Sequence, residues 1–151
     1  MTEGRAIRGK NNEINFDGVK IKKLNKTNFA LSGSMDVTVE IDDTFELECN
    51  LYKKQGNEYK LTPFHIGPYK FCDYIQNKAL AYDEILECSD LPQRKDCPWK
   101  KEKYTFNKCL IPTNKVPKFL DGEYRVDVTL WKNKESAGGY QIFFYVISFV
   151  G

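Results

Sequence analysis

The sequence predicts an all-β fold, a β-sandwich or β-cup with one short helix. Three observations lead there. Apolar and polar residues alternate with period two through several segments, and turn signals separate these segments every ~8–10 residues. Helical spacing is confined to one stretch near the middle. Ten Phe and nine Tyr among 151 residues agree, because aromatic side chains favour pleated, half-buried surfaces.

Each element follows from its own pattern. "INFDGVKIKKL" and "FALSGSM" read as two weak strands broken at Gly18 and Gly33. "MDVTVEI" sets Met35, Val37, Val39 and Ile41 on one face and Asp36, Thr38 and Glu40 on the other. Asp42-Asp43 reads as a turn. "FELECNLY" then repeats the pattern with Phe45, Leu47, Cys49 and Leu51 inward, so the two runs are expected to pair as a hairpin, wet on one side. "YKFCDYIQNKALAYDEILE" places Phe71, Cys72, Ile75 and Ala79 at helical spacing. A short helix near 69–79 is expected, then irregular chain to about Pro98. "KYTFNKCLI" is a further strand, and "YRVDVTLW" puts Tyr124, Val126, Val128 and Leu130 on one face. "YQIFFYVISF" is apolar on both faces, as in a strand covered on both sides, and its inward face is undetermined. Residues 1–12 read as a flexible N-terminal segment and 13–151 as one β domain, without repeats or linkers.

Composition narrows the function. With 41% hydrophobic and 29% charged residues the chain is no disordered polymer. A net charge of +2, from 23 basic and 21 acidic residues, lacks the bias of a nucleic-acid binder. The five cysteines form no C-x-x-C pair, and the one histidine, His65, has no ligand-spaced neighbour, so no metal is expected. No glycine-rich phosphate loop is present, and no cofactor is expected. His65 also lacks a marked nucleophile such as G-x-S-x-G. The acid pairs Asp42-Asp43 and Asp83-Glu84 are adjacent rather than facing across a cleft. The chain reads as a non-enzyme.

Five cysteines fit either a cytosolic thiol protein or a secreted domain with two disulfides and one cysteine left over. The secreted reading is preferred. The sequon Asn25-Lys26-Thr27 agrees with it and marks Asn25 as a glycosylation candidate. The opening "MTEGRAIRGK" has no apolar core of a signal peptide, which fits a signal already removed. "IFFYVISFV" is far shorter than the ~20 residues that cross a bilayer. Cys49, alternating with apolar residues, reads as a buried, inert thiol, with a disulfide to another strand as the alternative. Phe119-Leu120, between Pro117 and Gly122 and flanked by Lys115 and Lys118, has two readings. It is either a loop for a membrane surface or pocket rim, or a plug at the end of the sandwich.

The segment 71–131 carries a more specific likeness. Phe71-Cys72-Asp73 is followed by Cys88, then Cys97-Pro98-Trp99-Lys100 and Tyr104, then Val116-Pro117 with Phe119-Leu120 and Gly122, Tyr124 and Arg125. This order resembles the ganglioside-activator branch of the ML lipid-recognition family and its insect secreted relatives. The resemblance implies an immunoglobulin-like sandwich or β-cup, open at one end, with an apolar cavity for lipid chains. It implies a Cys72–Cys97 disulfide and a lipid- or membrane-contacting loop at Phe119. Lys95 stands where the family has the partner of Cys88, so Cys109 becomes the candidate partner. Cys49 has no counterpart, and the cysteines that tie the family's chain ends are absent here. The implied function is a secreted, non-enzymatic carrier of a lipid or small hydrophobic ligand. Val37, Val39, Leu47, Val126 and Val128 would line the cavity with Phe143 and Tyr145, and Phe119 and Leu120 would sit at its edge. The rival reading is an immunoglobulin-like recognition module with a filled core and a protein partner.

Overall fold

The alternating segments build two antiparallel sheets that face each other. The computed structural model describes residues 3–25, 28–79, 82–110 and 120–147. Within them the chain forms β1 (Glu3–Ile7), β2 (Ile14–Asn15), β3 (Val19–Lys23), β4 (Phe29–Val37), β5 (Phe45–Gln55) and β6 (Glu58–Lys70). Then follow α1 (Phe71–Asn77), α2 (Tyr82–Leu86), a single 3-10 turn at Arg94–Asp96, β7 (Glu102–Leu110), β8 (Gly122–Lys132) and β9 (Glu135–Val146). One sheet has the order β1-β9-β8-β5-β6. In the other, β2 and β3 pair with β4, and β7 also pairs with β4.

The register fixes which residues face the other sheet. Leu47, Cys49 and Leu51 stand opposite Leu130, Val128 and Val126, as the alternation predicts. Val128, Val126 and Tyr124 stand opposite Tyr140, Ile142 and Phe144 of β9. Against them the second sheet brings Val19 and Ile21 of β3, Met35 and Val37 of β4, and Tyr104 and Phe106 of β7. Tyr140 ties the sheets together by donating its hydroxyl to the Val19 carbonyl at 3.2 Å.

Four expectations change. The 35–41 and 45–52 runs are not a hairpin: β4 ends at Val37, and β5 belongs to the other sheet. The partner of β5 is β6, joined to it by Gly56-Asn57 with Gly56 at φ 65°. β6 was not expected, and it carries Pro63, Gly67 and Pro68, residue types that usually interrupt a strand. As an edge strand it tolerates them, since a proline there interrupts no inner ladder. Residues 3–7, read as part of a flexible segment, form edge strand β1 on β9. A second helix, α2, occupies chain expected to be irregular.

Gly33 does not break its strand either. It sits in β4 at φ 103°, beside a register shift towards β7, and a Cβ there would lie 2.0 Å from the Gly18 carbonyl oxygen. The glycine permits a bulge and a close approach that no other residue could make.

Polar contacts hold the helical connector in place. The Asp43 carboxylate accepts the Cys72 N–H at 2.8 Å, satisfying a free donor at the start of α1. At its other end Arg94 donates to the carbonyls of Ile75 and Ala79 at 2.9 and 2.8 Å. The same guanidinium pairs with Asp83 at 3.0 Å and lies over the Tyr82 ring. One side chain thus closes α1 and positions α2. The chain carries Cys72–Cys97 and Cys88–Cys109 disulfides. No helix among the described residues is long and apolar enough to cross a membrane.

Candidate functional site

Among the described residues the sandwich is tightly packed at one end and only partly covered at the other, where Leu51 and Tyr124 are buried but their neighbours are not. At the Cys72–Cys97 end, Phe45 is 1% exposed, Ile41 0% and Tyr104 2%. Trp99 stands there among Phe71, Tyr82 and Tyr104, with ring centroids 4.9, 6.5 and 5.7 Å away. Burial pushes the Tyr82 hydroxyl up to about 12, and it donates to the Pro92 carbonyl at 2.6 Å. This explains the "CPWKKEKY" stretch. Cys97 staples the connector, Trp99 fills the core, Lys100, Lys101 and Lys103 are exposed, and Tyr104 turns inward.

Towards the β5–β6 turn the inner face changes character. Val126, Val128, Ile142 and Phe144 point at the second sheet yet remain half-buried, and so do Ile21 and Leu31 across from them. Leu24, Leu110, Leu120 and Ile147, at the strand ends of this side, are exposed. Two surface clefts flank Cys97-Pro98 at the packed end. One of about 450 Å³ includes Asp90, Asp96 and Glu102, and one of about 540 Å³ includes Asp42 and Asp43. Their carboxylate-bearing walls suit water rather than an apolar chain. Among the described residues no cluster of His, Cys, Asp or Glu could hold a metal.

The expected cavity residues divide among four places. Leu47, Val126 and Val128 lie on the inner face, and Leu47 packs against the core. Val37 is inward too, but at the packed end, 3% exposed beside Ile14. Val39 is corrected: it lies beyond β4, is 37% exposed and lines nothing between the sheets. Phe143 and Tyr145 are corrected as well. They pair with Arg125 and Glu123 and so share the outer face of the sheet. Sequence reasoning missed Ile142 and Phe144, the inward residues of β9. A run apolar on both faces carries no parity signal, and only pairing with Val126 and Tyr124 selects the face.

The outer aromatics have company. The Arg125 guanidinium stands 4.1 Å over Tyr52 and 5.4 Å from Tyr59, while pairing with Asp127 at 2.9 Å. Tyr59 meets Phe143 edge-on at 5.7 Å, and Arg5 covers Phe143 at 5.0 Å. Arginine stems and planes cover the rings that the doubly apolar run assigned to a second buried face.

Leu120 is 79% exposed where β8 begins, and its carbonyl accepts the Tyr124 hydroxyl at 2.6 Å. Phe119, with Lys115 and Lys118, lies outside the described residues. Asn25 is exposed in the β3–β4 turn, where its Oδ1 accepts the Asn28 N–H at 2.9 Å. Cys49 is free and buried on the inner face. Burial first, and the neighbouring Glu48 second, push its thiol up to about 11. The disulfide alternative for Cys49 therefore gives way to the inert thiol.

No curated protein matches the chain. A family model described as "Protein of unknown function (DUF1091)" matches residues 47–126, from β5 into β8. That span holds the helical connector, both disulfides and most of the inner wall formed by β5 and β8. On this match over half of its length, the chain belongs to the DUF1091 family.

Proposed function

We propose that this chain is a secreted, non-enzymatic carrier that holds an acyl chain or small hydrophobic ligand between its two sheets. One observation carries the reading: Val126, Val128, Ile142 and Phe144 face the opposite sheet but are only half-buried. An apolar wall left uncovered costs free energy, and a ligand that covers it recovers ~0.8 kcal/mol per buried CH₂. The likeness of residues 71–131 to the ML lipid-recognition family supports the same reading. The two disulfides support secretion, since such bonds persist in oxidising compartments. The exposed Leu24, Leu110, Leu120 and Ile147 at this end give a rim at which a ligand could leave a membrane surface.

Native mass spectrometry of the protein, before and after organic extraction, tests this reading. A carrier shows a bound mass or takes up a fluorescent fatty acid after extraction. A protein that does neither is not a carrier.

A second reading has its own observation. The outer ladder of Arg5, Phe143, Tyr59, Arg125 and Tyr52 has the Tyr- and Arg-rich make-up of protein-binding hot spots. In that reading the chain is a recognition module with a protein partner. Tyr52→Ala and Tyr59→Ala would then abolish partner capture while leaving lipid uptake intact.

A further inference from the structure

The alternation that makes the inner wall apolar ends in lysines at the open end. Along β5 the inward positions run Phe45, Leu47, Cys49, Leu51 and then Lys53. Lys60 of β6 is the cross-strand partner of Lys53. In the other sheet the inward positions of β3 run Val19, Ile21 and then Lys23, which pairs with Phe29. Lys23 lies towards the β1 edge, against which β3 packs, whereas Lys53 and Lys60 stand side by side on β5 and β6.

Lys53 is held there. Its ammonium lies 5.7 Å from the centroid of the Tyr124 ring, which stacks on Phe144 at 5.6 Å. Its stem crosses Gly122, where an added Cβ would meet Lys53 Cε at 3.0 Å. Among the ion pairs of the described residues, none involves Lys53, Lys60 or Lys23. The nearby Glu123 is engaged by Lys54 on the outer side at 3.2 Å. The nearest acid in the same row, Glu58, lies one step further out, paired with Gln55 at the turn.

We infer that this rim selects an amphiphile with an anionic head group, a long-chain carboxylate or phosphate monoester. Lys53 and Lys60 meet the head, and the chain lies along Val126, Ile142 and Phe144. The inference rests on the carrier reading and adds the ligand class to it. A cation beside low-dielectric walls attracts an anion more strongly than one in open water. Salt screens the part of that attraction that passes through solvent.

The test displaces a bound fluorescent probe with hexadecanoate, hexadecyl phosphate and hexadecanol, which share one chain length. The expected result is that at least one anion binds about tenfold or more tightly than the alcohol at low salt, the better anion naming the head group. Raising the salt should narrow the gap. The double variant Lys53→Gln, Lys60→Gln should bring the anions down to the affinity of the alcohol, with its melting temperature checked in parallel. The double Lys→Arg variant should keep the preference. Equal binding of all three ligands by the wild-type protein, at any salt, overturns the inference and leaves the carrier reading standing. Binding of none overturns the carrier reading, and this inference with it. Because the salt series uses the wild-type protein alone, a variant that fails to fold does not shield the proposal.

Discussion

At the stapled end of the sandwich, Phe45, Met35, Ile41 and Tyr104 are each at most 2% exposed. At the other end, Val126 and Val128 of β8 and Ile142 and Phe144 of β9 also face the opposite sheet but stay half-buried, beside Leu51 and Tyr124, which are 3% and 4% exposed. The contrast lies in what covers them. The packed end has α1, the 3-10 turn and Trp99 laid over it and fixed by Cys72–Cys97, whereas the described part of the open end has only strand termini and lysines. One sheet is thus core at one end and a half-buried apolar wall at the other, where the proposed ligand would lie.

Mutations should separate the two ends by size of effect. Phe45→Ala empties a site with no slack and should cost ~3–5 kcal/mol in urea unfolding. Replacing Cys72 and Cys97 together by serine should cost ~2–5 kcal/mol by freeing the unfolded chain. Non-reducing peptide mapping of the native protein should return Cys72–Cys97 and Cys88–Cys109, and no bridge at Cys49.

High pH should act next. Burial raises Tyr74 and Tyr82 to about 12, from 10.0, and Cys49 to about 11, from 9.0. The folded state therefore keeps protons that the unfolded chain has released. Stability should be unaffected by these groups below pH 9, fall as pH rises from about 9, and lose their contribution by about 12. Cys49 should resist alkylation in the folded protein until the same range. Stability that rises with pH over this interval would mean that the groups are not buried as described.

The smallest effect belongs to the open end. Val126→Ala removes atoms already partly in water and should cost about 1 kcal/mol or less. A cost equal to that of Phe45→Ala would erase the contrast between the ends.

Much of this was legible from residues alone. Alternation gave β5 and β8 their inward faces, because period two is the physical signature of a sheet wet on one side. The likeness of 71–131 gave the Cys72–Cys97 bridge, and Lys95 turned Cys88 towards Cys109. What stayed hidden depended on pairing between distant segments. Asp42-Asp43 looks like a hairpin turn, but the chain uses it to cross from one sheet to the other and to cap α1. The prolines of β6 disguised an edge strand. Phe143 and Tyr145 looked like wall residues because arginines that cover an outer face leave no trace in a hydrophobic pattern. Val39 continued the alternation of β4, yet β4 had ended two residues earlier.

The most direct test is methyl NMR during titration with hexadecanoate. The account predicts shifts at Val126, Val128 and Ile142, with Met35, Val37 and Ile14 at the packed end left in place. No shift at the open end, or shifts centred on the packed end, would contradict the claim that the uncovered wall is the binding site.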